Sequence, residues 1–231
     1  MKETPTSTPS RPVAVLFDVD ETLVHTGGSG ARSWMAAFQK LYGVPADIGE
    51  HSSAGETDPQ VARATFLGVL GRQPSDEELD RLYVQYLLHL ADDILVSEQY
   101  RVLPGVEQCL SALGQAGVLL GLVSGAMEGA ARTKLIPANL NRYFIFGTYG
   151  SDSPDRAELT GIGIEKASRL HAGLTPSQVF VVGDTPKDLE AARAAGAVSV
   201  GVATGKYSVD EMVEAGGDHV LGSLEEPFPG L

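Results

Sequence analysis

Short apolar runs alternate with amphipathic stretches along most of the chain. Runs typical of buried strands lie at residues 13–17, 118–123, 143–146, 179–182, 198–202 and, most weakly, 219–221. Apolar residues at helical spacing fill the intervals at residues 106–116, 127–136, 161–171, 186–195 and 208–215. Strands that alternate with helices predict right-handed crossovers, and so an α/β fold with a doubly wound, Rossmann-like parallel sheet.

Residues 27–98 interrupt this alternation. They carry helical patterns at 31–42, 59–70 and 76–96 but no convincing strand pattern. We therefore expect an inserted α-helical domain at 27–98, with the core formed by residues 12–26 and 99–231. Trp34, Phe38 and Tyr42 recur at helical spacing and are expected in the core of the insertion. Residues 1–11, rich in Pro, Ser and Thr, predict a disordered tail.

Composition narrows the class of protein. The 231 residues are 43% hydrophobic but contain no apolar stretch of the roughly 18 to 20 residues that a membrane span needs. A net charge of -13 disfavours nucleic acid and anionic membranes as partners. The single cysteine, Cys109, excludes an internal disulfide, and the N-terminus lacks the apolar segment of a signal peptide. We expect a cytoplasmic protein, either a monomer or a homodimer.

Two pairs of carboxylates follow predicted strands. Asp18 and Asp20 come directly after the first run, and Asp184 and Asp188 follow the run at 179–182. If Pro186 opens the next helix, Asp188 lies at its N-terminus beside Asp184. Carboxyl ends of parallel strands share one edge of the sheet, and an oxygen-only site of this kind suits Mg²⁺ better than zinc.

Ser124 and Gly125 end the strand at 118–123 and precede a helix. A hydroxyl and free backbone N–H groups at that position form the outline of a phosphate-binding pocket. Each feature has an ordinary structural alternative, since an Asp at a strand end often caps a helix and Ser-Gly often forms a turn. Their occurrence at successive strand ends of one sheet favours a functional site.

These motifs together resemble the haloacid dehalogenase superfamily. Residues 17–23 (Phe-Asp-Val-Asp-Glu-Thr-Leu) resemble its first motif, Ser124 its second, and residues 183–188 (Gly-Asp-Thr-Pro-Lys-Asp) its acidic fourth motif. The resemblance extends from Val13 to about Gly205. It is strongest to phosphoglycolate phosphatase-like members, whose helical C1 cap domain is inserted where residues 27–98 lie.

The resemblance implies an Mg²⁺-dependent phosphatase that acts on a small phosphorylated metabolite. Asp18 would be the nucleophile that becomes an aspartyl-phosphate, and Asp20 the general acid and base. Mg²⁺ would be held by Asp18, the Asp20 backbone carbonyl and Asp184, with Asp188 nearby. Ser124 and Gly125 would bind phosphoryl oxygens.

The third motif departs from the common Lys-Pro form. A basic residue is needed there to neutralise charge in the transition state. We assign it to Arg156, in a loop before the helix predicted at 161–171. Lys134 and Lys166 are the alternatives.

The first motif also departs from the family, since Glu21 replaces a glycine that would permit a positive φ angle. Thr22 is typical of phosphatases, whereas β-phosphoglucomutase-like members often have Val there. A sugar phosphomutase and a catalytically idle binding module remain the alternative functions.

Weaker candidates come from the insertion and from the segment after the first motif. Thr57 or Asp58 is expected to cap a helix that begins near Pro59. Family members place similar segments over the site, so Glu56, Thr57 and Arg63 are candidates for substrate contact. His25 is a candidate for the site entrance.

Overall fold

The computed structural model describes residues 11–51 and 53–231. Its strands are β1 (Ala14–Phe17), β2 (Val24–His25), β3 (Arg101–Val102), β4 (Leu119–Ser124), β5 (Phe146–Tyr149), β6 (Val179–Gly183), β7 (Val198–Val202) and β8 (His219–Leu221). Its helices are α1 (Ser29–Tyr42), α2 (Asp58–Leu70), α3 (Asp76–Val96), α4 (Val106–Gln115), α5 (Glu128–Lys134), α6 (Arg156–Leu170), α7 (Pro186–Ala194) and α8 (Val209–Glu214). Of the predicted tail at 1–11, all but Arg11 lies outside the described residues. The Arg11 side chain donates a hydrogen bond to the Ala116 carbonyl at 2.6 Å.

Six strands form one parallel sheet in the order β5-β4-β1-β6-β7-β8. In the centre, Phe17 of β1 lies opposite Leu122 of β4 and Val182 of β6. The predicted doubly wound, Rossmann-like fold is confirmed. Strands β4 and β5 lie on one side of β1, and β6, β7 and β8 lie on the other. The carboxyl ends of β1, β4 and β6 therefore meet at the switch point where such folds bind ligands.

Both faces of the sheet are covered, which explains the continuous apolar runs of its strands. Alternate side chains of β1 point to opposite faces: Val15 and Phe17 join one buried cluster, and Ala14 and Leu16 join the other. The Leu16 cluster includes residues of α6 and α7. The Phe17 cluster includes residues of α4, α5 and the three helices α1–α3.

Helices α1–α3 form a segment that we call the three-helix segment (residues 29–96). Its centre is aromatic: the Trp34 ring stacks on Tyr86 with ring centroids 4.6 Å apart, and Phe38 lies against Phe66 at 5.3 Å. As predicted, Trp34 and Phe38 are buried, and Tyr42 is partly buried against the same core. Within the described residues, no helix combines the length and apolar character that would let it cross a lipid bilayer.

The chain enters and leaves the three-helix segment through a short antiparallel ribbon. Here β2 pairs with β3, with Val24 opposite Val102. Gly27 follows β2 with φ of 63°, and a Cβ atom there would lie 2.5 Å from Ser97 Oγ, so the close approach of the two connections requires glycine. The sequence pattern did not predict this ribbon.

Two predicted elements have boundaries that were wrong by three residues or more. The strand predicted at 143–146 lies instead at Phe146–Tyr149, because Leu140–Tyr143 forms a 3₁₀ helix and Ile145 is exposed. The helix predicted at 161–171 begins at Arg156, because the Asp155 carboxylate accepts a hydrogen bond from the Glu158 backbone N–H at 2.9 Å and so caps it five residues earlier.

Candidate active site

A cavity of about 180 Å³ opens at the carboxyl ends of the central strands. Asp18 follows β1, Ser124 ends β4 and Asp184 follows β6, and all three line the cavity. The loop before α2 lies over it with Ala54, Gly55 and Glu56. The predicted site residues of the core are therefore brought to one place by the topology of the sheet.

Three carboxylates cluster at the site, and two of them, Asp18 and Asp184, line the cavity. One oxygen each of Asp18, Asp184 and Asp188 lies within 4.8 Å of the others, and all three residues are buried. Burial raises the pKa of Asp18 to about 7, although the Arg156 guanidinium acts against this. Burial and the neighbouring Asp18 carboxylate raise the pKa of Asp184 to about 8. Removing water from several close carboxylates is costly unless a cation balances them.

This donor set fits Mg²⁺. It consists of hard carboxylate oxygens, and the raised pKa values of Asp18 and Asp184 reflect the burial and mutual repulsion that a divalent cation would offset. No His or Cys belongs to the cluster, so a softer metal has no preferred ligand there.

Arg156 crosses the carboxylate cluster. As the first residue of α6, it places its Nη2 atom 2.9 Å from Asp18 Oδ1 and 2.5 Å from Asp188 Oδ1. Its Nε atom donates a second hydrogen bond to Asp188 at 2.8 Å. Burial disfavours the charge of the guanidinium, but the attraction of Asp188 and Asp18 is larger. The pKa of Arg156 therefore lies above its usual value. Arg156 thus lies on a helix and not in the predicted loop.

The two alternative basic residues lie in different places. Lys134, in the last turn of α5, is buried, lines the cavity and donates to Asp20 Oδ2 at 2.6 Å. Burial opposes its charge, but Asp20 leads the groups that raise the pKa of Lys134. Lys166 instead donates to the Gly147 carbonyl at 2.7 Å and does not line the cavity. Both Arg156 and Lys134 are therefore in contact with aspartates of the first motif.

Gly125 lies where the loop after β4 meets the loop before α2. A Cβ atom at Gly125 would lie 2.6 Å from the Glu56 carbonyl oxygen and 3.0 Å from Arg156 Nη1. Ser124 Oγ accepts a hydrogen bond from the Ala126 backbone N–H at 3.2 Å. Only glycine leaves this corner of the cavity open beside the arginine.

Asp58 is a cavity residue that the sequence predicted only as a possible helix cap. Its Oδ2 accepts a hydrogen bond from the Met127 backbone N–H at 2.8 Å, and its own N–H donates to the Gly125 carbonyl at 2.8 Å. Burial raises the pKa of Asp58 to about 6, against the attraction of Lys134. It therefore ties the start of α2 to the loop before α5.

Glu21, which replaces the usual glycine of the first motif, has a positive φ angle. Glu21 has φ of 55°, the left-handed conformation that the usual glycine would permit. Its carboxylate lies 2.6 Å from His25 Nδ1, so His25 pairs with Glu21. Thr22 is buried, and its hydroxyl lies 3.4 Å from Asp184 Oδ1.

The three residues of the three-helix segment that were predicted to contact substrate lie in different environments. Glu56 lines the cavity, whereas the buried Thr57 hydroxyl donates to the Pro154 carbonyl at 3.0 Å. Arg63 is half-exposed, lies 3.8 Å from Asp76 and does not line the cavity.

Comparison with known proteins identifies the family of this chain. A family model described as haloacid dehalogenase-like hydrolase matches residues 13–196. A phosphoglycolate phosphatase of Agrobacterium fabrum is 31% identical over 232 residues, which cover 98% of this chain and 94% of that protein. Another from Salmonella typhi is 31% identical and covers 94% and 91% respectively.

Solved structures share the fold. A predicted phosphoglycolate phosphatase of Haemophilus somnus superimposes with a TM-score of 0.73 at 19% identity over 92% of this chain and 95% of that one. A β-phosphoglucomutase of Clostridium difficile gives 0.71 at 18% identity over 92% of each chain. The matched motifs, the fold and the sequence relatives agree, and the chain belongs to the haloacid dehalogenase-like hydrolase family.

Proposed function

We propose that the protein is an Mg²⁺-dependent phosphatase that hydrolyses a small phosphate monoester through an aspartyl-phosphate on Asp18. The observation that supports this most strongly is the buried Asp18–Asp184–Asp188 cluster, with Arg156 2.9 Å from Asp18. It lies at the switch point of the sheet, and Asp18 and Asp184 line a cavity of about 180 Å³, which suits a small metabolite.

Asp18 is the proposed nucleophile. One carboxylate oxygen attacks phosphorus and forms a P–O bond as the bond to the leaving alcohol oxygen breaks. Ser124 and the backbone beside Gly125 bind phosphoryl oxygens, and Arg156 neutralises charge that develops on them. Asp18, the Asp20 carbonyl and Asp184 would hold Mg²⁺, with Asp188 close by. When bound, the ion supplies the positive charge that lets a carboxylate approach a phosphate dianion.

Asp20 is the proposed general acid and base. In the first step it gives its proton to the leaving alkoxide. In the second step it takes a proton from the water that attacks phosphorus, which releases inorganic phosphate and restores Asp18. Lys134, 2.6 Å away, holds the Asp20 carboxylate at the cavity wall between these steps.

We also propose that residues 27–98 act as the cap of this site. The Ala54–Glu56 loop forms one wall of the cavity. Asp58 and Thr57 bind the core through Met127, Gly125 and Pro154. These contacts exclude water from the site during transfer.

Phosphate release from a panel of small phosphate esters, with and without Mg²⁺, tests this function. We expect Mg²⁺-dependent release that Asp18→Asn lowers by at least about a thousandfold, because the nucleophile is lost. Asp210→Asn, a change at an exposed residue of α8, is the matched control and keeps the wild-type rate. Release that survives Asp18→Asn contradicts the proposed nucleophile.

A further inference from the structure

The side chains around the cavity are mostly acidic. The lining carboxylates are Asp18, Asp20, Glu21, Glu56, Asp58 and Asp184. The lining cations are Lys134 and Arg156. The proposed chemistry uses Asp18, Asp20, Asp184 and Arg156, with Lys134 paired to Asp20, so Glu21, Glu56 and Asp58 are the lining charges that it leaves unused.

Both lining cations already have carboxylate partners. Lys134 Nζ lies 2.6 Å from Asp20, and Arg156 Nη2 lies 2.9 Å from Asp18 and 2.5 Å from Asp188. Lys134 is buried, so it has little freedom to turn toward another anion. Neither cation is available to a second negative group of a substrate.

A further cation, Lys187, contacts Glu56 but does not line the cavity, and it is also paired. Lys187 Nζ lies 3.6 Å from Glu56 Oε1 and donates to Ser53 Oγ at 3.0 Å. Glu56 itself accepts a hydrogen bond from Ser53 Oγ at 2.7 Å. Among the described residues that line the cavity, no unpaired cation faces the leaving group.

Asp58 makes the same wall more negative. It is buried, and it contacts the core through backbone groups, with no cation in a salt bridge to it among the described residues. A substrate carboxylate in this cavity of about 180 Å³ would lie close to Asp58 or Glu56. Like charges placed together in a desolvated site oppose binding strongly.

We propose that the alcohol half of the substrate carries no second anionic group, and that Glu56 and Asp58 select a neutral hydroxylated or an ammonium-bearing phosphate monoester. This inference rests on the proposed phosphatase function of the same site. It separates this chain from what the names of its sequence relatives indicate for them, because phosphoglycolate carries a carboxylate.

Three esters with the same two-carbon chain test the inference: 2-phosphoglycolate, 2-hydroxyethyl phosphate and O-phosphoethanolamine. Their binding to Asp18→Asn in Mg²⁺ buffer is measured by calorimetry, and kcat/KM is measured with the wild-type protein. We expect the carboxylate ester to bind at least about tenfold more weakly than the hydroxyethyl ester, with the ammonium ester equal to it or tighter. The order of kcat/KM follows the same sequence.

Glu56→Gln and Asp58→Asn supply the matched variants, since each removes one charge and keeps the shape. We expect each variant to reduce the difference in binding affinity between 2-phosphoglycolate and 2-hydroxyethyl phosphate. Binding of 2-phosphoglycolate as tight as that of the other two esters, or no binding of any of them, overturns the inference. If the esters bind in the expected order but the wild-type protein hydrolyses none of them, the inference is supported and the phosphatase function is refuted. Failure of the inference can thus be told apart from failure of the proposed function.

Discussion

At the scale of single residues, aspartates of the site form ion pairs with two basic side chains. Arg156 joins Asp18 to Asp188, and Lys134 holds Asp20. The Arg156 pairs are buried, whereas the Asp20 side chain of the Lys134 pair is 43% exposed. Buried ion pairs hold functional groups in place more than they stabilise the fold, because desolvation offsets much of their attraction. The proposed nucleophile and the proposed acid are thereby each oriented by a separate cation.

The backbone at Glu21 offers a test of strain. A side chain at φ of 55° costs more than glycine does, so Glu21→Gly should be more stable than Glu21→Ala by about 1 kcal/mol. Both variants lose the contact with His25, so their difference isolates the backbone. Urea denaturation of the two variants measures it, and equal stabilities would show that the turn is relaxed with any residue.

Asp58 gives a stability that depends on pH. Its pKa is raised to about 6 in the folded protein from 3.8, so the folded state binds the proton more tightly than the unfolded state. The stability of the wild-type protein relative to Asp58→Asn should be highest below about pH 4 and should fall by about 2 to 3 kcal/mol as pH rises through 6.

Denaturation of the wild-type protein and Asp58→Asn at about pH 4 and about pH 8 measures this change. The comparison with the variant cancels other groups that titrate in both proteins. A stability difference that stays constant across that range would mean that Asp58 is not desolvated as the structure indicates.

At the scale of elements, the hydrophobic pattern predicted the helices and strands that bury a face along their whole length. The bounds predicted for α3, residues 76–96, agree with the structure, and β7 lies at the predicted 198–202. The early start of α6 depends on one side-chain cap at Asp155, and the β2–β3 ribbon pairs residues far apart in the chain. Neither leaves a periodic signal in the sequence.

The aromatic centre of the three-helix segment carries a prediction at this scale. Trp34 is fully enclosed and stacks on Tyr86, so Trp34→Ala should lower the free energy of unfolding by about 3 to 5 kcal/mol. Leu88→Ala, at a position of α3 that is 56% exposed, should change it by no more than about 0.5 kcal/mol. Chemical denaturation compares the variants, and similar losses in both would contradict the packing described.

At the scale of the whole molecule, the sheet edge and the three-helix segment together make the site. Strand-end motifs predicted the positions of Asp18, Ser124 and Asp184, because parallel topology alone brings them together. The place of Asp58 depends on how an insertion of helices docks on the core, which local sequence does not specify. The net charge of -13 does not exclude a phosphate site, because Arg156 and the proposed divalent cation would together offset the three clustered carboxylates.

The most direct test of the account is the covalent state of the protein during turnover. Protein mixed with a substrate and Mg²⁺ and quenched in acid within one turnover is digested, and the peptides are weighed by mass spectrometry. We predict one phosphoryl group on the peptide that contains Asp18, present early, lost as phosphate appears and absent from Asp18→Asn. A phosphoryl group on any other residue, or phosphate release by Asp18→Asn at the wild-type rate, would contradict the proposal that Asp18 is the nucleophile.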